Sequence, residues 1–370
     1  MMEFQTYIEL MKQLNTILLQ YIDDVNDEDG IQNNFESLTN FIEENKISES
    51  KEELGVFLRL MSVFTSHHHR NPDFFNKIDK IIVFFKEKIK QFFCNEELFD
   101  MFESCKPIVV IFIENDMILI NENIINLLFQ RGFYYNAYFF IQIEKFLDEQ
   151  RRNQLKRMLL QRDPNIFENF KEKQRIGENE DYICKLIRED SIDDFISYVN
   201  RINLPLSSKI KKSIFETNGF LRLHSASLIE YSAFCGSIQI FNYLRMNNVE
   251  LKPFLWNCAI YSRNYEMIHL LEELHVEPII NDKCLNCLSV ALKCHHNEIA
   301  EYIQNNIMTN NNNDNLLEDC LCSHNFVFFP EDYNINHFFS CSISNGYLKF
   351  VKILMKNEEI DMNGYDIFTI

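Results

Sequence analysis

Residues 232–244 read Ser232-Ala-Phe-Cys-Gly-Ser-Ile-Gln-Ile-Phe-Asn-Tyr-Leu244, and the same pattern recurs three times further along the chain. The later copies are Ala259-Ile-Tyr-Ser-Arg-Asn-Tyr-Glu-Met-Ile-His-Leu-Leu271, Ala291-Leu-Lys-Cys-His-His-Asn-Glu-Ile-Ala-Glu-Tyr-Ile303 and Ser342-Ile-Ser-Asn-Gly-Tyr-Leu-Lys-Phe-Val-Lys-Ile-Leu354. Each copy has a small residue, then a polar residue or Gly four positions on, then apolar residues eight, nine, eleven and twelve positions on. This spacing is typical of two short helices folded back on each other. Because one helix pair cannot bury its apolar face alone, we predict that the pairs stack into a solenoid.

Helix-breaking residues are scarce along the whole chain. There are 8 Gly and 7 Pro among 370 residues, whereas average usage would supply about 12 % of these two types. The apolar residues mostly recur at three- and four-residue spacing and do not alternate with polar ones. We therefore predict an all-α protein without a substantial sheet.

The repeated pattern also suggests how the chain is divided. Residues 1–165 contain apolar-periodic blocks separated by breakers such as Asp163-Pro164, but no convincing repeat, so we predict an irregular α-helical domain there. Residues 166–180 are mostly polar and charged and are predicted to be a connector. Residues 181–370 hold the helix pairs, with an Asn-rich insertion near 309–315. An alternative is that the N-terminal half is itself an irregular helical repeat that continues the solenoid.

One segment of the repeat region can be compared with a known pattern. Ser227-Leu-Ile-Glu-Tyr-Ser-Ala-Phe-Cys-Gly-Ser237 matches the block Thr-Pro-Leu-His-Leu-Ala-Ala-x-x-Gly-His in position and in helix-turn-helix character. Residues 181–370 thereby resemble the ankyrin repeat family, in a divergent form similar to ankyrin-like proteins of some parasitic protists. The four equivalent turn positions are Gly236, Arg263, His295 and Gly346, which are 27, 32 and 51 residues apart; ankyrin repeats are about 33 residues long. The Thr-Pro-Leu-His signature is absent from every copy.

The resemblance implies a non-enzymatic scaffold that holds a partner protein on the concave face of the array. In ankyrin proteins the two positions between the small residue and the turn commonly face that groove. The equivalent residues of this chain are Phe234, Cys235, Tyr261, Ser262, Lys293, Cys294, Ser344 and Asn345. Aromatic residues such as Phe234 and Tyr261 are typical of the centre of an interface. The alternative is that both rings pack inside the array.

A Cys- and His-rich region suggests a different class of function. Its members are Cys284-Leu-Asn-Cys287, Cys294-His-His296 and Cys320-Leu-Cys-Ser-His324. These residue types could hold zinc, so a metal- or thiol-dependent enzyme or sensor is the alternative function. Cys287 and Cys294, however, occupy repeat positions that helix packing already explains. Since the chain has no Gly-x-Ser-x-Gly, Gly-rich phosphate loop or His-Glu-x-x-His, we expect no catalytic residue, metal or cofactor.

The charge of the chain limits its partners. The net charge of −19 disfavours nucleic-acid binding, which needs a surplus of Lys and Arg on one face. The basic stretch Gln150-Arg-Arg-Asn-Gln-Leu-Lys-Arg157 follows Asp148 and Glu149 and is predicted to be a solvated helix face. The longest apolar run, Ile108–Ile113, is far too short to span a membrane. We expect a soluble cytoplasmic protein with reduced cysteines and no membrane partner.

Overall fold

The computed structural model describes residues 2–24, 28–68, 71, 73–280, 285–308 and 313–356. Within these ranges the chain forms α-helices, three short 3-10 helices and no β-strand, which confirms the all-α prediction. The one β-type pairing in this part of the chain is an isolated antiparallel bridge between Lys209 and Ser227. Across the same ranges, no helix combines the length and the apolar character that a membrane span requires.

Twenty-four α-helices occur in the described ranges. In chain order they are α1 (Met2–Asp23), α2 (Glu28–Glu44), α3 (Lys51–His67), α4 (Phe74–Phe84), α5 (Lys86–Phe92), α6 (Asn95–Phe102), α7 (Lys106–Glu114), α8 (Glu122–Gln130), α9 (Phe133–Tyr138), α10 (Phe140–Ile143), α11 (Glu149–Arg162), α12 (Phe170–Ile176), α13 (Tyr182–Arg188), α14 (Ile192–Arg201), α15 (Gly219–Leu223), α16 (Leu228–Cys235), α17 (Ile238–Met246), α18 (Leu255–Ser262), α19 (Tyr265–Glu273), α20 (Cys287–Lys293), α21 (Asn297–Asn306), α22 (Asn313–Cys322), α23 (Ile335–Ser344) and α24 (Leu348–Leu354). The 3-10 helices are Ile47–Glu49, Glu144–Phe146 and Phe326–Phe328.

The helices form two compact units. The first comprises Met1–Phe64, His68–Phe92 and Ile279–Ile370, and the second comprises Thr65–His67 and Phe93–Pro278. Each unit therefore combines residues from before and after the connector that we predicted at 166–180. The division at that connector stays a prediction about which fragments fold alone.

The first unit joins the two ends of the described chain in one core. Helix α1 contacts α2, α4, α24 and the 3-10 helix Phe326–Phe328. The amide of Asn15 in α1 is fully buried: its Nδ2 donates to the carbonyl oxygen of His324 at 2.9 Å, and its Oδ1 accepts from the backbone N–H of Phe326 at 2.8 Å. The rings of Phe4 and Tyr7 lie 5.4 and 4.7 Å from the ring of Phe350. Residues near the N terminus thus complete the packing of the C-terminal helices.

The second unit contains consecutive helix pairs. Helices α13 and α14, α16 and α17, and α18 and α19 contact each other within their pairs. The first helices of these pairs also stack on one another, α13 on α16 and α16 on α18, and the second helices α14 and α17 are in contact. Each pair therefore buries its apolar face against the next pair, as we expect of helix pairs that are too short to be stable alone.

The four repeated segments share one local structure. Each forms two helices around its predicted turn residue, and that residue has a positive φ: 71° at Gly236, 52° at Arg263, 55° at His295 and 73° at Gly346. The small residue and the apolar residues eight, nine and twelve positions on are buried in every copy, while the residue eleven positions on is half-buried in every copy. The predicted helix-turn-helix pattern is confirmed in all four segments.

Hydrogen bonds explain why the chain turns where it does. The N–H groups of Ser237, His296 and Tyr347 donate to the carbonyl oxygen five residues earlier, at 2.9, 3.0 and 2.9 Å. This bond closes a helix end of the Schellman type, which requires a left-handed residue just before the donor. At Gly236 and Gly346 a Cβ atom would come within 2.9 Å of the Asn264 side chain and 2.8 Å of the Arg59 guanidinium. Glycine suits these two turns because it adopts a positive φ without strain and has no Cβ atom to meet the neighbouring side chain.

Two further segments can be compared with the sequence predictions. The basic stretch 150–157 lies in α11, where Lys156 and Arg157 are exposed and Leu155 is buried, so it is a solvated helix face as predicted. Of the Asn-rich tract, residues 309–312 lie outside the described ranges, and residues 313–315 begin α22.

Candidate interaction surface

The eight predicted partner-binding residues differ widely in exposure. Phe234, Cys235 and Asn345 are half-buried, and Lys293 and Ser344 are exposed. The other three, Tyr261, Ser262 and Cys294, are buried. The residues of the first two helix pairs lie in the second unit, and those of the last two pairs lie in the first unit.

Phe234 and Tyr261 belong to a cluster of rings in the second unit, which we call the aromatic cluster; its members are Phe220, Phe234, Phe254 and Tyr261. The ring of Phe220 is at the centre, with its centroid 4.5 Å from Tyr261, 5.3 Å from Phe254 and 6.0 Å from Phe234. The rings of Phe234 and Tyr261 are themselves stacked at 5.6 Å. The structure thus brings the two predicted aromatic anchors together across α16 and α18.

The two anchors have different environments. Tyr261 is only 5 % exposed, and its hydroxyl group forms a hydrogen bond of 2.9 Å with Nδ1 of His67 at the end of α3. His67 is in turn packed against Gly219, where a Cβ atom would lie 2.9 Å from its Cε1. Tyr261 is therefore held from several sides, whereas Phe234 is only half-buried. Of the two, Phe234 is the ring that a partner can reach in this conformation.

The cluster includes residues that the sequence pattern did not identify. Phe220 lies in α15, inside the long connection between α14 and α16, and Phe254 precedes α18. Neither position belongs to the 13-residue repeated segments, so periodicity could not single them out. Leu223, at the end of α15, is 81 % exposed.

The Cys- and His-rich region lies in the first unit, and its described residues are mostly buried. Cys287, Cys294 and Cys320 are fully buried, Cys322 is exposed, and Cys284 lies outside the described ranges. Burial raises the pKa of the Cys287 thiol to about 12. Burial also lowers the pKa of His324 to about 3, and its Nδ1 forms a hydrogen bond with the hydroxyl group of Tyr347. At neutral pH these groups are a thiol and a neutral imidazole.

The protonation states bear on what this region can do. A thiolate, not a thiol, is the nucleophile and the metal ligand, so burial makes Cys287 a poor candidate for either task. Among the residues that the structure describes, no group of three or more His, Cys, Asp or Glu side chains is placed to hold a metal ion.

Replacing Cys287 with Ser is expected to lower the free energy of unfolding by about 1–3 kcal/mol, because a polar hydroxyl replaces a fully buried thiol. Adding a chelator should leave the melting curve of the unmodified protein unchanged. Thermal unfolding followed by circular dichroism measures both effects, and Cys322→Ser, at an exposed cysteine, is the matched control. Stoichiometric zinc in the purified protein, together with unfolding by the chelator, would contradict this expectation.

Comparison of the chain with protein-family models, with curated proteins and with solved structures found no match.

Proposed function

We propose that this chain is a non-enzymatic protein-interaction module built from divergent ankyrin-like helix pairs. One observation carries the proposal: each of the four repeated segments forms two helices, has a left-handed residue at the same turn position and buries the same set of positions. Recurrence of structure at this level is typical of repeat proteins, which use extended surfaces to bind partners.

The packing of the second unit supports this reading. Neighbouring helix pairs stack through α13, α16 and α18, and contacts of this kind between neighbours are what we expect of a solenoid. In such an array, side chains near the ends of the first helices line one common face. Phe234, near the end of α16, is the residue of that kind whose ring is both aromatic and partly exposed.

The aromatic cluster suggests how the surface works. Tyr261 and Phe220 are buried and hold the ring of Phe234 in a fixed position. A ring that is already ordered loses little side-chain entropy when a partner binds, so it contributes more of its contact energy to affinity. We assign Phe234 the role of the anchor, and Tyr261 the role of a support that positions it.

Replacing Phe234 with Asp is expected to weaken capture of the native partner protein by about 2 kcal/mol or more, as is typical of an anchor at an interface centre. The measurement is quantitative affinity capture from the native source with the full-length chain, followed by mass spectrometry and by titration of the captured partner. Tyr265→Asp is the matched control, because Tyr265 is an aromatic residue of the same unit that is 43 % exposed on α19.

The proposal requires that proteins bound by the unmodified chain are lost from the Phe234 variant and retained by the Tyr265 variant. Equal capture by a folded Phe234→Asp variant would exclude this face as the binding site.

A further inference from the structure

A pocket of about 180 Å³ lies in the second unit, beside the loop that joins α14 to α16. The loop is closed at its base by the bridge between Lys209 and Ser227, where the N–H of Ile210 donates to the carbonyl oxygen of Ala226 at 2.9 Å. The buried side chain of Asn179 holds the pocket wall, because its Nδ2 donates to the carbonyl oxygen of Lys211 at 2.7 Å. The pocket is thus built from ordered backbone.

The lining of this pocket is strongly basic. Five Lys and Arg residues contribute to it, namely Lys106, Arg131, Lys211, Lys212 and Arg222. Glu216 is the one carboxylate among the lining residues. Such an excess of positive charge is unexpected by chance in a chain whose net charge is −19. Clustered cations at a concave surface raise the local concentration of anions.

Lys106, at the start of α7, brings one of these charges into the protein interior. The residue is 2 % exposed, and its Nζ donates to the carbonyl oxygens of Ile214, Tyr134 and Glu216 at 3.0, 3.4 and 3.4 Å. These acceptors are neutral carbonyl oxygens, so they hold the amino group without an ion pair to offset the cost of burying its charge. An anion in the adjoining space would therefore stabilise the protonated form of Lys106.

Tyr135 supplies a second, independent observation. The residue lines the same pocket and is 5 % exposed, and its buried hydroxyl group has no hydrogen-bond partner among the residues that the structure describes. Burial raises the pKa of this hydroxyl group, and the positive charges of Arg222 and Arg131 and the negative charge of Glu103 also act on it. Buried hydroxyl groups almost always have a partner, because leaving one unpaired costs about 1–3 kcal/mol. A ligand oxygen would satisfy it.

We propose that this basic pocket binds the phosphate group of a phosphorylated ligand, which accepts a hydrogen bond from Tyr135 and is held by Arg222, Lys211 and Lys212. A phosphate monoester carries a charge of about −1.5 to −2 and several strong acceptor oxygens, which suits a pocket with several cations and a spare hydroxyl donor. The volume of about 180 Å³ is below the roughly 300–1,000 Å³ of sites for larger ligands. The pocket therefore holds the phosphate group itself, and the rest of the ligand lies outside it. This inference does not depend on the proposed function.

The test is isothermal titration calorimetry of the full-length protein at physiological ionic strength. The probes are inorganic phosphate, adenosine monophosphate and a phosphoserine peptide, with adenosine and the unphosphorylated peptide as blanks. We expect saturable binding of at least one phosphorylated probe, and the probe that binds most tightly identifies the source of the phosphate.

Tyr135→Phe should weaken the binding of that probe about tenfold, because it removes one hydrogen bond to a charged group and leaves the ring in place. Tyr135→Phe should not lower the melting temperature.

Matched variants distinguish specific phosphate binding in the pocket from non-specific attraction of anions to lysines elsewhere on the protein. Lys211→Gln combined with Lys212→Gln removes two exposed charges of the pocket and should weaken binding at least tenfold. Lys156→Gln combined with Lys171→Gln removes two exposed charges that do not line it and should have no such effect. Tyr231→Phe is the control for Tyr135→Phe, since the Tyr231 hydroxyl group already accepts a bond from Arg188 at 2.8 Å.

Three results would overturn the proposal. These are the absence of saturable binding to all three phosphorylated probes, equal weakening by the two pairs of lysine substitutions, and unchanged affinity in the Tyr135→Phe variant.

Discussion

Replacing Tyr261 with Asp is expected to lower the free energy of unfolding by about 3–5 kcal/mol, because a carboxylate would replace a buried ring. The ring of Tyr261 packs 4.5 Å from Phe220, and its hydroxyl group is bonded to His67. Both contacts would be lost, and the new charge would have to be desolvated. Urea unfolding followed by circular dichroism measures the change.

The same substitution at Phe234 should cost much less, about 1–2 kcal/mol, because part of that ring is already in solvent. Tyr261→Phe provides a third comparison. It keeps the ring and removes the hydrogen bond to His67, so we expect a loss of about 1 kcal/mol. Similar unfolding curves for the two Asp variants would contradict the different roles that we assign to these rings.

The stability of the protein is expected to rise with pH between pH 7 and about 10 through the titration of Lys106. Burial, together with the nearby positive charge of Arg222, lowers the pKa of Lys106 from 10.5 to about 7. Between these two values the unfolded chain binds a proton at this residue and the folded chain does not. Stability therefore increases with pH in this window, by up to about 1.4 kcal/mol per pH unit, and the full cost of burying the charge is present below pH 7.

Lys106→Met removes the titrating group and should remove this slope. The measurement is the free energy of unfolding in urea at pH 6.5, 8 and 9.5 for the unmodified protein and the variant. The variant also loses hydrogen bonds to three carbonyl oxygens, so a change in its free energy of unfolding at a single pH does not test the titration. The test is whether the difference in free energy of unfolding between the variant and the unmodified protein changes with pH. Lys156→Met, at an exposed lysine, is the control. A difference between Lys106→Met and the unmodified protein that is constant across these pH values would contradict the expectation.

The helix pairs could be predicted from the sequence because their signals are local. The turn residues Gly236, Arg263, His295 and Gly346 lie within a few residues of the helices that they connect, and all four have the left-handed conformation. The buried positions follow from the 3.6-residue period of a helix, which is present in the sequence itself. The same reasoning predicted that the basic stretch in α11 is a solvated face.

The candidate sites could be predicted only in part from local sequence patterns. The sequence left two alternatives for Phe234 and Tyr261, which could be exposed anchors or buried rings. In the structure Tyr261 is buried and Phe234 is half-buried. The difference arises because Phe220 and His67 cover Tyr261, and these residues are 41 and 194 positions away from it along the chain. For the basic pocket there is one local signal, the run Lys209-Ile-Lys-Lys212. No sequence pattern indicates that Lys106 or Tyr135 belongs to this pocket.

The all-α class, the four helix pairs and the positions that each pair buries follow from the amino-acid sequence, because they depend on contacts between residues a few positions apart. Long-range packing, in contrast, makes α1 complete the core of the C-terminal helices, leaves Phe234 half-buried while Tyr261 is buried, and brings Lys106, Tyr135 and Arg222 to one pocket. Those outcomes depend on contacts between residues tens to hundreds of positions apart. Such contacts form when many apolar faces are buried together, and no short stretch of sequence records them.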